Sequence, residues 1–456
     1  MRSILPIYKL TLRSILRERV ALSMLALLAL VLLLLPAGLE TDGTIQGALR
    51  MHIRYSLGFS SFLLAAMTIW VSCAAVAGDL SSKRLQMVLT KPVSRTEIWW
   101  GKWLAVVTLV SCLLLICGGV TYLRIQRMIH AEGLSPDEKA KVYSQQLTSR
   151  RPVAPLKEDF SEKAKELADE QIASGAVPPS FPKDAVISEM KRLLLVGSYA
   201  ASAGESASWT FQLKKPLQAG QTIQLGYEYD GSAMGVSQIP GVWKLGTEEA
   251  TSVFIKETFE TPYGEKVIPI QVSPEMAGAK ILTLSFENLN KEGGRVFFKT
   301  DKGVRIFFQA GGFILNLFRA LLLLSGLLAI LAAIGVSAGS IFSLPVACYD
   351  SAVVLMLQAF SGIVEEVVEA GPEQRQEEQS VLSYGINQFQ YRVYQGILIG
   401  LKPLQVESPL GRVSRGVLIS PVELLKIFCL RFAPVILLIS GGGILLFSKR
   451  EIGASV

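Results

Sequence analysis

Histidine is nearly missing from this chain: only His52 and His130 occur in 456 residues. They are far apart and neither sits in an H-E-x-x-H or other zinc spacing, so they suggest no shared site. Charge is scarce too, at 18% Asp, Glu, Lys and Arg, where soluble globular chains carry about a quarter. The five cysteines, Cys73, Cys112, Cys117, Cys348 and Cys429, all fall in apolar runs. Buried packing is the role that position suggests, and the polar stretches hold none from which a disulfide framework could be built. There is no G-x-S-x-G elbow and no G-x-x-x-x-G-K-[ST] phosphate loop, since Gly101-Lys102 is followed by Trp103 and lacks the leading glycine. An enzyme reading has little to stand on. Even an intramembrane enzyme would need a nucleophile and a base on facing spans, and no such pair is evident.

What the chain has instead is apolar length. Half its residues are hydrophobic and its mean hydropathy is +0.41. Residues 24–35 are almost unbroken Leu, Ala and Val, and residues 313–336 and 432–447 are nearly as apolar. Runs near 20 residues match the ~30 Å hydrocarbon core of a bilayer. Six spans are expected, at 20–37, 56–77, 103–123, 312–335, 341–362 and 425–447, the fifth interrupted by Asp350 and opening near Pro345. The first resembles a signal peptide ending near Pro36-Ala37-Gly38. Its apolar run exceeds the usual core of about 7–15 residues, however, and a retained helix is expected.

Lys and Arg near the span ends set an orientation. Arg2, Lys9, Arg13, Arg17 and Arg19 precede span 1. Lys83, Arg84, Lys91, Arg95 and Lys102 lie between spans 2 and 3, and Lys449 and Arg450 follow span 6. The loop 38–55 has only Arg50 and Arg54, with Glu40 and Asp42 beside them. Six crossings put all three basic clusters, and both termini, on the cytoplasmic side. Ile4, Tyr8, Leu12 and Ile15 form an apolar stripe, with Lys9, Arg13 and Arg17 recurring every four residues. Residues 1–19 therefore read as an amphipathic helix on an anionic leaflet, or as a plain topology anchor.

Residues 124–309 are expected to face outward, with 23 Lys/Arg against 23 Asp/Glu. That balance gives no case for nucleic-acid binding. The part over 130–198 reads helical, at 136–146, 156–173 and 183–195. From 205 to 309 the pattern turns to period-two alternation, as in Trp209-x-Phe211-x-Leu213 and Ile223-x-Leu225-x-Tyr227-x-Tyr229. Further strands are expected at 251–259, 266–272, 280–287, 294–300 and 303–308, and so many short strands argue for an antiparallel β-sandwich. Such a sandwich either binds a ligand or is a rigid cap. A second outward region, 363–420, opens with Glu365, Glu366, Glu369, Glu373, Glu377 and Glu378. Its apolar patch at 396–401 is too short to cross and suits an interfacial helix. Ser420-Pro421-Val422-Glu423 reads as the capped start of span 6. The fold class is thus a polytopic α-helical membrane protein with six transmembrane helices. An inserted extracytoplasmic α+β domain carries the sandwich, and residues 448–456 form a cytoplasmic tail.

The cytoplasmic loop 78–102 is built with care. Ser94-Arg95-Thr96-Glu97 is a capping box, and Val93 and Ile98 occupy the positions of a hydrophobic staple. Pro92 keeps the chain out of helix just before it. Trp99, Trp100 and Trp103 fall on the first turns, where indoles suit a membrane interface. Residues 82–90 can form a short helix exposing Leu85, Met87, Val88 and Leu89. The basic residues alone could merely set topology. Apolar side chains on a short helix beside a fixed corner point to a docking surface for a cytoplasmic partner.

Gly78-Asp79-Leu80, then Leu89-Thr90-Lys91-Pro92-Val93-Ser94-Arg95, then Gly101-Lys102 resembles the corresponding loop of ABC type-2 transporter permeases. Phe342-Ser343-Leu344-Pro345-Val346-Ala347 and the ending Phe447-Ser448-Lys449-Arg450-Glu451-Ile452-Gly453 are similar to the subgroup with a large external insertion. The resemblance covers the membrane half of the chain and stops short of the external domain. It implies a permease subunit of an ATP-driven exporter in a bacterial cytoplasmic membrane, paired as a homo- or heterodimer. This chain would hold no cofactor, and ATP would bind a separate ABC-type ATPase subunit. The residues it nominates for ATPase coupling are Leu85, Val88, Lys91, Pro92, Ser94, Arg95 and Glu97. ATPase closure would push that coupling helix and tilt spans 1, 2 and 5.

Asp350 departs from the family pattern. An ionisable group within a span costs about 2.5–3.5 kcal/mol on insertion scales and usually meets a partner or a wet cavity. Arg431 in span 6 is the candidate partner, in an intramembrane pair or along the pathway; a tilted or re-entrant span 5 is the alternative. The rival from another class is a membrane receptor or envelope-assembly scaffold whose external sandwich binds a ligand.

Overall fold

The structure is a computed structural model. It describes residues 4–34, 45–82, 93–131, 135–145, 147–177, 182–232, 238–247, 251–260, 263–290, 294–300, 303–361, 381–401, 405 and 408–450. These divide into two compact units, one from Met1–Ser149 with Gly311–Val456 and the other Arg150–Ala310.

The chain opens with α1 (Ile4–Ile15), α2 (Arg19–Leu34), α3 (Ile45–Met51), a π-helical turn (His52–Ser56) and α4 (Leu57–Ser81). α5 (Arg95–Ala131) and α6 (Pro136–Gln145) follow. After β1 (Thr148–Val153) come α7 (Ser161–Ala173) and α8 (Lys183–Ser198). The strands β2 (Ala200–Ala201), β3 (Ser206–Gln212), β4 (Thr222–Ser232), β5 (Gln238–Gly246) and β6 (Thr251–Glu260) are next. β7 (Tyr263–Gln271), β8 (Ile281–Asn288), β9 (Arg295–Phe298) and β10 (Val304–Gly312) complete them. The chain then runs through α9 (Phe313–Ile341), α10 (Leu344–Ala359), α11 (Val381–Leu401) and α12 (Pro409–Ser414). It ends in α13 (Pro421–Ile427), a second π-helical turn (Phe428–Phe432) and α14 (Ala433–Lys449).

In the first unit, side-chain contacts fix the direction of each helix. Ser56 Oγ lies 3.4 Å from Thr121 Oγ1 and Asp79 pairs with Lys102, so α4 and α5 are antiparallel. Tyr122 stacks on Phe313 while Trp99 Nε1 donates to Ser337 Oγ, which makes α9 antiparallel to α5. Gly326 abuts Phe432 and Gly443 abuts Ser337, so α14 follows α9. Arg124 donates to the Leu33 carbonyl, placing the end of α2 beside the later turns of α5. α10 turns back from the end of α9 at Ser343-Leu344-Pro345, with proline in its first turn. Apolar helices therefore alternate: α2, α5 and α10 run one way, α4, α9 and α14 the other.

The tightest seam joins α9 to α4. Gly335 and Gly339 stand four apart, and a Cβ at either would meet Ser72 or the backbone of Cys73. Small residues at this spacing let two backbones approach closely. On α14, Gly443 serves the same purpose, whereas Gly441 and Gly442 face open space.

Among the described residues, three helices are long and apolar enough to cross a membrane: Gly47–Ser81, Arg95–His130 and Phe313–Ile341. The first of these takes in the end of α3, the π turn and α4. This is fewer than the six expected. Arg19–Leu34 and Leu344–Ala359 are apolar but have 16 residues each, about 24 Å at 1.5 Å per residue. The last apolar run contains a π turn at Phe428–Phe432, with helical backbone on both sides of it. The cysteines are also less uniformly buried than expected: Cys73 and Cys117 are buried, Cys348 is half-buried, and Cys112 and Cys429 are exposed on their helices.

The second unit is an antiparallel sandwich. One sheet has the order β1-β10-β4-β9-β2, with β7 also paired to β4, and the other has β3-β8-β5-β6. Strand β8 alternates strictly, burying Leu282, Leu284, Phe286 and Asn288. Between the sheets lies an aromatic core. Trp243 sits 5.0 Å from both Tyr227 and Phe286, and Trp209 and Phe298 pack at 5.3 Å. β1, β2 and β5 were not among the expected strands, β1 lying within the stretch expected to be helical; β5 holds Pro240-Gly241, residues uncommon inside a strand. It is nonetheless internal to its sheet, and Gly241 lies under the Phe286 ring where any Cβ would clash. Helix α7 starts later than expected. Leu156 donates instead to the Thr210 carbonyl at 2.7 Å, and Asp159 accepts from the Ser161 amide to begin the helix.

Candidate functional site

The distant pieces of the loop motif converge at one end of the helical unit. Lys102, on the second turn of α5, is 3% exposed, and its Nζ pairs with the Asp79 carboxylate and the Ala75 carbonyl near the end of α4. Its neighbour Gly101 faces α1. A Cβ there would lie 2.9 Å from Ile7 Cγ2 and 3.2 Å from the Ile4 carbonyl oxygen. So Gly101 is a close-approach glycine and Lys102 an internal tie; neither belongs to a phosphate loop.

The capping box forms as read: Glu97 N–H donates to Ser94 Oγ and Ser94 N–H to Glu97 Oε2, both at 3.2 Å. Val93 packs with Ile98, and the same small cluster contains Ile7 and Phe447. Arg95 then does something its position did not announce. Its Nη1 donates to the carbonyls of Phe447, Ser448 (2.8 Å) and Arg450 (3.1 Å), closing the C-terminus of α14. Arg450 in turn donates to Ser340 and Ile341 at 2.8 and 3.1 Å, closing α9. A cation on the open carbonyls of a helix end complements the helix dipole. The start of α5 is thereby locked to the ends of α4, α9 and α14, and to α1.

The tryptophans differ from expectation. Trp99 is 1% exposed and Trp103 Nε1 donates to the Ala329 carbonyl at 2.9 Å. With Trp100 between them, their rings pack edge-on and stacked. They fasten α5 to α9 rather than sit outside the bundle, because indole N–H groups found buried acceptors there. Helix α1 buries Ile7, Thr11 and Ile15, so Ile7, outside the expected stripe, leads its contact face.

Of the residues nominated for coupling, Leu85, Val88, Lys91 and Pro92 lie outside the described residues, while Ser94, Arg95 and Glu97 form the corner just described. Asp350 is exposed on α10, and Arg431 Nη1 donates to the Gln405 carbonyl at 2.9 Å. Among the described residues no ion pair joins the two. At Ser420 the helix starts as expected with Pro421 in its first turn, but the Ser side chain makes no cap bond. Glu423 is taken by Arg412 through two contacts at 2.5 and 3.0 Å. Among the described residues, no group of three His, Cys, Asp or Glu could hold a metal ion.

No family model matches the chain, and no curated protein matches it. Among solved structures it is similar to one titled Family 16 Carbohydrate Binding Module-2, at 12% identity and a TM-score of 0.16, over 24% of this chain and 73% of that one. So low a TM-score carries no argument about function.

Proposed function

We propose that this chain is the membrane subunit of an ATP-driven ABC-type transporter, an exporter of the bacterial cytoplasmic membrane. It would work as a dimer of permeases with a separate ATPase. The observation that carries the reading is the junction of Asp79, Arg95, Gly101 and Lys102. The side chains of Asp79, Arg95 and Lys102, with the close approach of α1 at Gly101, tie four helix ends and α1 to the two roots of the segment 83–92. A force applied to that segment would reach α1, α4, α5, α9 and α14 together, as coupling to an ATPase requires. The alternating helix directions support six crossings with both termini cytoplasmic, the shorter helices being accommodated by local thinning of the bilayer. The unit Arg150–Ala310 would then lie outside.

The test is affinity purification of the solubilised chain, wild type beside an Arg95→Glu/Leu85→Asp double variant. Co-purification of a P-loop ATPase, with ATP hydrolysis, is expected for the wild type and not for the variant. Leu85→Asp alone, which leaves the carbonyl contacts of Arg95 intact, separates lost docking from lost folding. If crosslinked wild type in mild detergent retains no ATPase, the transporter reading falls and the receptor or scaffold reading replaces it.

A further inference from the structure

A cavity of about 710 Å³ opens between α1, the α1–α2 link and α4. Arg13 and Arg17 line it, together with the hydroxyl-bearing Thr11 and Ser14. Both guanidiniums are exposed, and neither has a hydrogen-bond or ion-pair partner among the described residues. The carboxylates facing the same space are already engaged: Asp79 by Lys102, and Glu18 in an interaction of its own. Two free guanidinium forks beside two hydroxyls suit a tetrahedral, multiply charged oxyanion, because arginine binds phosphate through paired, charge-assisted hydrogen bonds.

The mouth of the cavity indicates where that phosphate comes from. Leu10, in the lining, is 61% exposed, and Leu16, in the link between the lining residues Ile15 and Arg17, is 45% exposed. The apolar helix α2 begins directly after. A water-borne anion has no use for such a rim, whereas a lipid brings acyl chains to cover it. We propose that this cavity seats the phosphate of a membrane phospholipid on Arg13 and Arg17, with its chains over Leu10, Leu16 and the start of α2. The site stands apart from the transport reading and holds whether or not the chain binds an ATPase.

The probe is short-chain phosphatidylglycerol, added to the purified full-length chain in detergent and counted by native mass spectrometry. An Arg13→Gln/Arg17→Gln variant is expected to lose retention by roughly tenfold or more, given about 1 kcal/mol for each basic residue at a lipid phosphate. Lys9→Gln, an exposed cation on the same helix that does not line the cavity, should retain the lipid as wild type does. Equal losses from all these changes would mean diffuse attraction, and no loss would mean no site; either overturns the proposal. Ser14→Phe fills the cavity without changing charge and should exclude the lipid as well, which guards against an arginine variant that simply misfolds. Inorganic phosphate is expected to compete poorly. If it binds alone and displaces the lipid, the lipid assignment is wrong.

Discussion

Lys102 reaches from α5 to the carboxylate of Asp79 at the end of α4, and the two partners are unequally buried, with 3% and 28% of their side-chain surface exposed. That inequality makes a prediction. Removing one partner of a buried pair is destabilising because the other is left uncompensated, by about 3–5 kcal/mol when both are dry. Asp79 can turn to solvent and Lys102 cannot. Asp79→Ala should therefore lower the melting temperature in detergent more than Lys102→Met does. The Asp79→Leu/Lys102→Met double variant should recover part of the loss. Equal effects, or no recovery, would show that the pair does not hold the junction.

Gly101 sits where α1 crosses α5. Gly101→Val would drive its side chain into Ile7 and the Ile4 carbonyl, and only the first of these can yield. Overpacking of this kind costs about 1–3 kcal/mol. The expected result is release of α1, read as faster proteolysis within residues 4–15 with the rest of the bundle intact. Adding Ile7→Ala should restore protection only in part, since it removes Ile7 Cγ2 but leaves Ile7 Cβ at 3.0 Å and the Ile4 carbonyl oxygen at 3.2 Å.

Local signals in this chain were legible and remote ones were not. The Ser94–Glu97 box is complete within four residues, so its hydrogen bonds follow from sequence alone. Ser420 and Glu423 carry the same pattern, yet Glu423 is claimed by Arg412, eleven residues upstream. Asp79 and Lys102 could each be picked out by resemblance, but their contact spans 23 residues and depends on how α4 meets α5. Gly335-x-x-x-Gly339 carries the small-residue spacing of a close-packed seam, whereas of Gly441-Gly442-Gly443 only Gly443 meets a neighbour within 4 Å. Strand alternation reads most of the sandwich and fails at β5, where Gly241 makes room for the Phe286 ring rather than a turn.

Asp159 offers a pH test of the second unit. Hydrogen bonds from the Ser161 hydroxyl and amide, with Lys191 nearby, hold its carboxyl below the usual value. A carboxyl depressed on folding stabilises the folded chain at neutral pH. The contribution is full above the ordinary carboxylate range, declines as pH falls into it, and is gone once pH has fallen through the folded value. The melting transition reported by Trp209 and Trp243 should thus be more acid-sensitive in wild type than in Asp159→Asn. Parallel pH profiles would mean that the start of α7 contributes nothing to that transition.

The glycines of the helical seams divide cleanly by what surrounds them. At Gly339 a Cβ would lie 2.7 Å from the Cys73 carbonyl oxygen, a backbone atom that cannot rotate away. At Gly443 the nearest atoms are Ser337 Oγ, which can turn at the loss of its contact with Trp99, and Ser337 Cβ at 2.7 Å, which rotation does not move. Gly441 and Gly442 have nothing within 4 Å. Alanine should therefore be harmful at both 339 and 443, about 1–3 kcal/mol each as overpacked core changes. At 441 and 442 it should be neutral or slightly stabilising, since alanine is the better helix former by about 1 kcal/mol. Melting temperatures of the four single variants, measured in one detergent, give the order directly. If alanine at 441 or 442 proves as damaging as at 339, that face of α14 is covered by something other than lipid, and a second subunit packed on it becomes the next thing to look for by crosslinking.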